Sequence, residues 1–223
     1  MVNKDRYSRI ICLMSVFEEE DLLPASLTSI RDFVDNVLII DGSYPDWPSD
    51  HALSEDETKE IAHRIAGDKL IWMETKTQLF ESAKLDMALD RIEQEPDGQD
   101  LWVFLQSADE VFSGDYVGEL DELRASSPSE CRVAQIKFHL PAPHRTQYMM
   151  PRFFRLSGGG VRHGRIPVSN CMYPQKVLEA PWYPGRKLEK CWLLHLKDGR
   201  NLNRQRERDS WYASGGLKKV VSV

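Results

Sequence analysis

The sequence predicts an α/β fold in which a mostly parallel central sheet is flanked by helices and followed by a mixed C-terminal extension. Three observations predict it. The short apolar runs Arg9–Val16, Val37–Ile40 and Leu101–Leu105 lack the alternation of half-exposed strands, as strands covered on both faces do. Segments with apolar residues at helical spacing separate these runs, giving strand–helix–strand order. After Glu110 the order loosens into strands punctuated by Pro and Gly.

Arg9–Val16 reads as the first strand and Glu18–Phe33 as a helix with Leu22, Leu23, Leu27, Ile30 and Phe33 on one face. Val37–Ile40 is the second strand, ending at Asp41-Gly42, and a loop rich in Pro, Ser and Asp runs from Ser43 to Leu53. Ser54 followed by Glu57 makes a capping box for a helix carrying Ile61, Ala62, Ile65 and Ala66. Lys69–Met73 is a third strand, Leu79–Ile92 a helix, and Leu101–Leu105 a fourth strand. A helix around Tyr116–Arg124 follows, then strands at Cys131–His139, Tyr148–Leu156, Arg165–Val168 and Cys191–Leu196, and a polar helix from Leu202 to Trp211. Gly158-Gly159-Gly160 reads as a hinge or hairpin turn, because no strand-to-helix step surrounds it.

The 223 residues fit one domain, with a formal charge of −6. No run approaches the roughly 20 apolar residues of a membrane helix. The N-terminus has no signal-peptide core, so a cytoplasmic protein is expected. Cys12, Cys131, Cys171 and Cys191 stand singly, as reduced thiols do, and suggest no zinc site. The basic stretch Lys197–Lys219 suits a small phosphorylated ligand; nucleic acid is allowed but not favoured.

In parallel sheets ligands bind beyond the carboxyl ends of the strands. That rim holds Phe17-Glu18, Asp41 and Gln106–Glu110. A buried strand ending in adjacent carboxylates is costly unless they leave toward solvent or bind a cation. Asp109-Glu110 is therefore a candidate cation site or a solvated acidic turn. Asp41 suits hydrogen bonds from a base or ribose, or simply an Asp-Gly turn. His195, near the end of a strand leading into the basic stretch, is a candidate ligand for Mn²⁺.

Together these segments resemble the family 2 glycosyltransferases of GT-A fold, from Arg9 to about Tyr212. Ser15-Val16-Phe17-Glu18-Glu19-Glu20 stands where the family has a short acidic motif. The family's Asp-rich nucleotide motif is similar to Asp41-Gly42 together with Ser54-Glu55-Asp56-Glu57-Thr58, split by Ser43–Leu53. Lys84 matches a basic residue on the helix before the fourth strand. Leu105–Glu110 is similar to the Asp-x-Asp metal motif, with Ser107 at the first acid and Asp109 at the second, or to the variant with Gln106 in first place. Pro151-Arg152-Phe153-Phe154-Arg155 looks like the strand that precedes acceptor loops, and His195 matches a C-terminal metal-completing His.

The resemblance implies a nucleotide-binding half (1–110) and an acceptor and metal-completing half (111–223). It implies a UDP- or GDP-linked sugar donor, an unspecified acceptor hydroxyl, inversion at the anomeric carbon, and Mn²⁺ or Mg²⁺ on Asp109 and His195. Donor contacts fall to Phe17, Glu18, Asp41, Asp56, Lys84, Gln106, Ser107, Lys197 and Arg200. Asp109 and Glu110 are the catalytic residues, with Glu110 the expected base and Glu179 and Asp198 behind it. A homodimer is allowed. Two alternatives stand: a glycosyltransferase that modifies nucleic acid, and a non-catalytic sugar-nucleotide binder, which would explain the missing first acid. A nucleotidyltransferase is disfavoured, because Glu18-Glu19-Glu20-Asp21 occupies the place of its basic Gly-rich loop.

Overall fold

The computed structural model describes residues 8–48, 51–94, 100–127, 131, 133–140, 147–156, 185–196 and 202–214. Eight strands are present among them: β1 (Arg9–Val16), β2 (Asn36–Asp41), β3 (Leu70–Glu74), β4 (Leu101–Leu105), β5 (Glu110–Gly114), β6 (Val133–His139), β7 (Gln147–Leu156) and β8 (Gly185–His195). Five helices accompany them: α1 (Leu23–Ile30), α2 (Thr58–Ala66), α3 (Glu81–Glu93), α4 (Val117–Ala125) and α5 (Leu202–Ala213). The strands form one sheet in the order β3-β2-β1-β4-β7-β6-β8-β5. The first four are mutually parallel. β7 runs antiparallel to β4 and β6, β8 is parallel to β6, and β5 is antiparallel to β8. This is the expected GT-A-like α/β arrangement, with its mixed extension.

The unbroken apolar strands have the reason inferred from sequence. Ile10, Cys12 and Met14 of β1 join Leu23 and Leu27 of α1 and Ile61 and Ala62 of α2 on one face. Ile11 and Leu13 join Leu85, Ala88, Leu89 and Ile92 of α3 on the other. Each fully buried aliphatic side chain contributes roughly 1.5–3 kcal/mol relative to exposure. Cys12, Cys131 and Cys191 are buried free thiols. No helix among the described residues is long and apolar enough to cross a membrane.

Local structure departs from the expectations in three places. The first helix starts at Leu23 rather than Glu18: Pro24 occupies its first turn, where a missing N–H costs nothing. Glu19 closes the preceding turn, its carbonyl accepting from Leu22 N (3.2 Å) and Leu23 N (2.9 Å). The capping box is not made; α2 begins without a side-chain cap at Glu57, because the Ser54 hydroxyl serves Asp41 and Glu18 instead. Glu110–Gly114, to which the sequence pattern assigns no element, is strand β5, and its partner β8 begins six residues before the expected Cys191. Arg165–Val168, Gly158-Gly159-Gly160 and Cys171 lie outside the described residues.

The β4–β7 junction, where parallel pairing gives way to antiparallel, is packed by aromatic rings. Phe104 and Phe153 sit opposite each other and stack with centroids 4.4 Å apart. Phe153→Ala should cost about 3–5 kcal/mol, read as a lowered midpoint in guanidinium unfolding.

Candidate functional site

The order of the strands fixes where a ligand would sit. From β1 the chain moves outward on one side through β2 and β3, then returns to β4 on the opposite side of β1. Loops leaving β1 and β4 therefore diverge and open a crevice at the carboxyl ends, the topological switch point. A cleft of about 460 Å³ occupies that place, and both Ser15 and Phe17 at the end of β1 and Ser107–Glu110 after β4 line it.

Two antiparallel ladders then bring distant residues to its floor. β5 pairs with β8 so that Glu110 faces His195, and Leu196 N donates to Asp109 O at 2.6 Å. The Asp109 carboxylate thereby meets the imidazole: Oδ2 lies 3.2 Å from Nε2. His195 Nδ1 is buried with no hydrogen-bond partner among the described residues. Below them Glu110 and Arg152 of β7 form an ion pair whose side chains are only 2% and 1% exposed. Ser107 N also donates to the Glu110 carboxylate (2.9 Å), and Arg152 reaches Leu105 O (3.5 Å). Burial pushes the Glu110 carboxyl up, against the pull of Arg152 and of the Ser107 N–H.

The rim is aromatic. Phe17 packs edge-on against Trp47 at 5.7 Å and beside His51 at 5.6 Å. α5 lies across this side: Trp211 donates to Pro45 O at 3.0 Å, and its ring stands 5.5 Å from Tyr44 and 5.6 Å from Trp47. The helix is also tethered by Arg204, which pairs with Asp56 at 2.7 Å and Glu20 at 3.7 Å. Arg208 of the same helix faces the cleft.

Of the residues expected at the site, Phe17, Ser107, Asp109, Glu110 and His195 line one cleft. Others serve its walls from behind. Asp41 is 2% exposed and accepts from Ser54 N (3.0 Å) and Ser54 Oγ (2.7 Å); burial raises its carboxyl despite these bonds. Through Ser54 it braces the loop that follows β2. Asp56 accepts from Thr58 N (3.0 Å) and Glu20 N (3.2 Å) as well as Arg204. Burial would raise it, but the bonds from Thr58 and Arg204 outweigh that and hold it low.

Lys84, expected beside the donor phosphates, is fully buried. Its ammonium donates to Gly42 O at 2.6 Å and sits 4.1 Å from the centre of the Tyr44 ring. Burial pulls it down to about 8, opposed by Glu81, Asp41 and Glu19. Gln106 turns inward to Ser26 Oγ (2.8 Å) and Glu110 O (2.8 Å). Glu18, with φ of 52°, points to His51 Nε2 (2.8 Å) and lines a small adjoining recess. Lys197, Arg200, Glu179 and Asp198 lie outside the described residues.

Sequence reasoning missed Glu81, Tyr44 and Trp47, all of which line the cleft. Two aromatics inside a polar loop were a readable signal for the last two. Glu81 precedes Lys84 by three positions, the spacing of helical neighbours.

No family model matches the chain, and no curated protein matches it in sequence. Among solved structures it is similar to S. aureus TarS 1–349, with 16% identity and a TM-score of 0.45 over 60% of this chain and 36% of that one. For S. aureus TarS the values are 17% and 0.43, again over 60% of this chain and 22% of that one. The chain thus spans well under half of either TarS chain. A mycobacterial protein is similar over 97% of this chain and 76% of its own, with 14% identity and a TM-score of 0.50, a likeness of fold.

The floor ion pair gives a stability test. Arg152→Ala strands a buried carboxylate and should cost about 3–5 kcal/mol. Adding Glu110→Gln should restore part of it, measured by urea unfolding at pH 7.

Proposed function

We propose that the chain is a glycosyltransferase that moves a sugar from a nucleotide-diphosphate-sugar to an acceptor hydroxyl. The observation that carries this reading is the Asp109–His195 pair at the switch point, in one cleft with cations and aromatic rings. The GT-A-like sheet and the sequence resemblance support it further.

The pair fits a divalent cation. Adjacent ligands of an octahedral ion with bonds near 2.1 Å lie about 3 Å apart, close to the 3.2 Å between Asp109 Oδ2 and His195 Nε2. No group of three or more His, Cys, Asp or Glu suited to a metal occurs among the described residues. Two protein donors suit Mg²⁺ or Mn²⁺, which leave their other positions to phosphate oxygens and water. Bound there, such an ion neutralises the diphosphate and eases its departure.

The protein groups have separate tasks in this reading. Phe17 and Trp47 give the base an apolar wall. Arg208 brings positive charge to where the leaving diphosphate gains negative charge, a stabilisation that strengthens in the transition state. Ser107, with its N–H committed to Glu110, keeps the strand tip in the turn that presents Asp109. Glu110, expected as the base, is bound by Arg152 and holds that guanidinium at the floor. Glu18, Asp41, Asp56, Lys84 and Gln106 shape the wall from behind, and Lys197 and Arg200 are proposed beside the diphosphate.

Thermal unfolding with UDP or GDP, with and without Mn²⁺, tests the reading. A ligand at a hundred times its Kd stabilises by about 2.7 kcal/mol, so at least one nucleotide should raise the Tm, more so with Mn²⁺. Asp109→Asn should abolish the Mn²⁺-dependent part. No response to either nucleotide would reject the proposal. Binding without donor turnover over many acceptors would instead favour a non-catalytic binder.

A further inference from the structure

Resting on the glycosyltransferase reading, we propose that Glu81 is the base that takes the proton from the acceptor hydroxyl. Four carboxylates line the cleft among the described residues: Glu19, Glu81, Asp109 and Glu110. Three are placed for other work. Glu110 is ion-paired to Arg152, Asp109 is paired with His195, and Glu19 stands beside Phe17 at the base-binding end, where it also borders the adjoining recess.

Glu81 differs from all three. It opens α3 and lines the cleft, and none of the described residues donates a hydrogen bond to its carboxylate. α3 packs against β1 and β2, and so sets Glu81 on the wall contributed by the parallel half of the sheet. Asp109 stands between β4 and β5, and His195 ends β8. Glu81 and the Asp109–His195 pair thus reach one cleft from different elements, and the proposal sets the acceptor on the Glu81 side of the sugar and the leaving group on the Asp109 side.

The charges facing Glu81 are Lys84 on its own helix, Arg152 of β7, and Asp109 and Glu110 at the strand tip. Burial pushes its carboxyl up to about 7; Lys84 and Arg152 oppose this, while Asp109 and Glu110 add to it. A base whose proton affinity matches the working pH is the efficient kind.

The step balances. The acceptor O–H gives its proton to a Glu81 oxygen while the acceptor oxygen's electron pair forms a bond to the anomeric carbon. The bond from that carbon to the diphosphate breaks, and its electron pair leaves on the phosphate oxygen. Solvent then removes the proton from Glu81.

The test compares wild type with Glu81→Gln and Glu81→Asp, measuring nucleoside diphosphate released from UDP- and GDP-sugars with water or glycerol as hydroxyl. Glu81→Gln should lower kcat at least about a hundredfold and leave both donor KM and the nucleotide-induced rise in Tm unchanged. Glu81→Asp should retain more activity than Gln. In wild type, kcat should fall about tenfold per pH unit below a midpoint near 7, because the base must be unprotonated. Glu81→Gln should lack that limb.

A Gln variant within about threefold of wild type would overturn the assignment alone, since loss of a general base costs at least a hundredfold. So would a wild-type profile flat between pH 5 and pH 8, a reading that does not depend on the variant folding. A wild type that binds no nucleotide, or binds without turnover, would overturn the transferase reading and the base with it.

Discussion

The arrangement turns on one buried ion pair, Arg152 with Glu110. It joins three strands: Glu110 opens β5, Arg152 lies within β7, and the same guanidinium reaches the last carbonyl of β4. Removing two charges from water costs several kcal/mol per ion, so the pair persists only with additional bonds. Ser107 N supplies one to the carboxylate, and the Phe138 ring lies 5.5 Å from the guanidinium carbon. A hydrophobic pair of similar volume would hold these strands as well or better. What the ions add is direction. Glu110 faces inward to its partner, and the adjoining Asp109 is thereby presented to the cleft.

Much of the parallel half was legible, because local physics produces it. A strand covered on both faces has to be apolar throughout, and β1, β2 and β4 are. β5 was not legible: five residues beginning with a carboxylate carry no alternation, and their strand character comes from β8, some eighty positions later. The site divides in the same way. Asp109 and His195 stood out by residue type and position at strand ends, whereas their contact depends on the β5–β8 register. Lys84 was expected beside the donor phosphates from the family resemblance, and Asp41 at the cleft from its place at the end of the second strand. Their burial follows from Gly42 O, the Tyr44 ring and Ser54, partners that local pattern does not reveal. Ser54 fitted a capping box in spacing, but the buried carboxylate of Asp41, thirteen positions earlier at the end of β2, competed for its hydroxyl and won.

Charge is distributed in a graded way through this region. Glu110 and Arg152 neutralise each other at the floor, Asp109 and His195 meet beside them, and Glu81 reaches the same cleft from α3. Groups of one chemical type thus reside in unlike surroundings a short distance apart, the condition under which carboxylates divide acid, base and binding duties. The aromatic rim completes the enclosure, with Trp211 of α5 closing over a loop more than 160 positions earlier in the chain.

The glycine after Asp41 carries a consequence of its own. A Cβ at Gly42 would run into the Thr75 hydroxyl, well inside contact distance, and Thr75 is itself fixed by its N–H to Asp41 O at 2.9 Å. The Thr75 side chain fills the space a methyl group would need, and Lys84 holds the Gly42 carbonyl. In a collection of descendants diverging toward new substrates, this position would stay glycine for reasons of clearance. A sequence logo would then mark as invariant a residue that never meets the ligand.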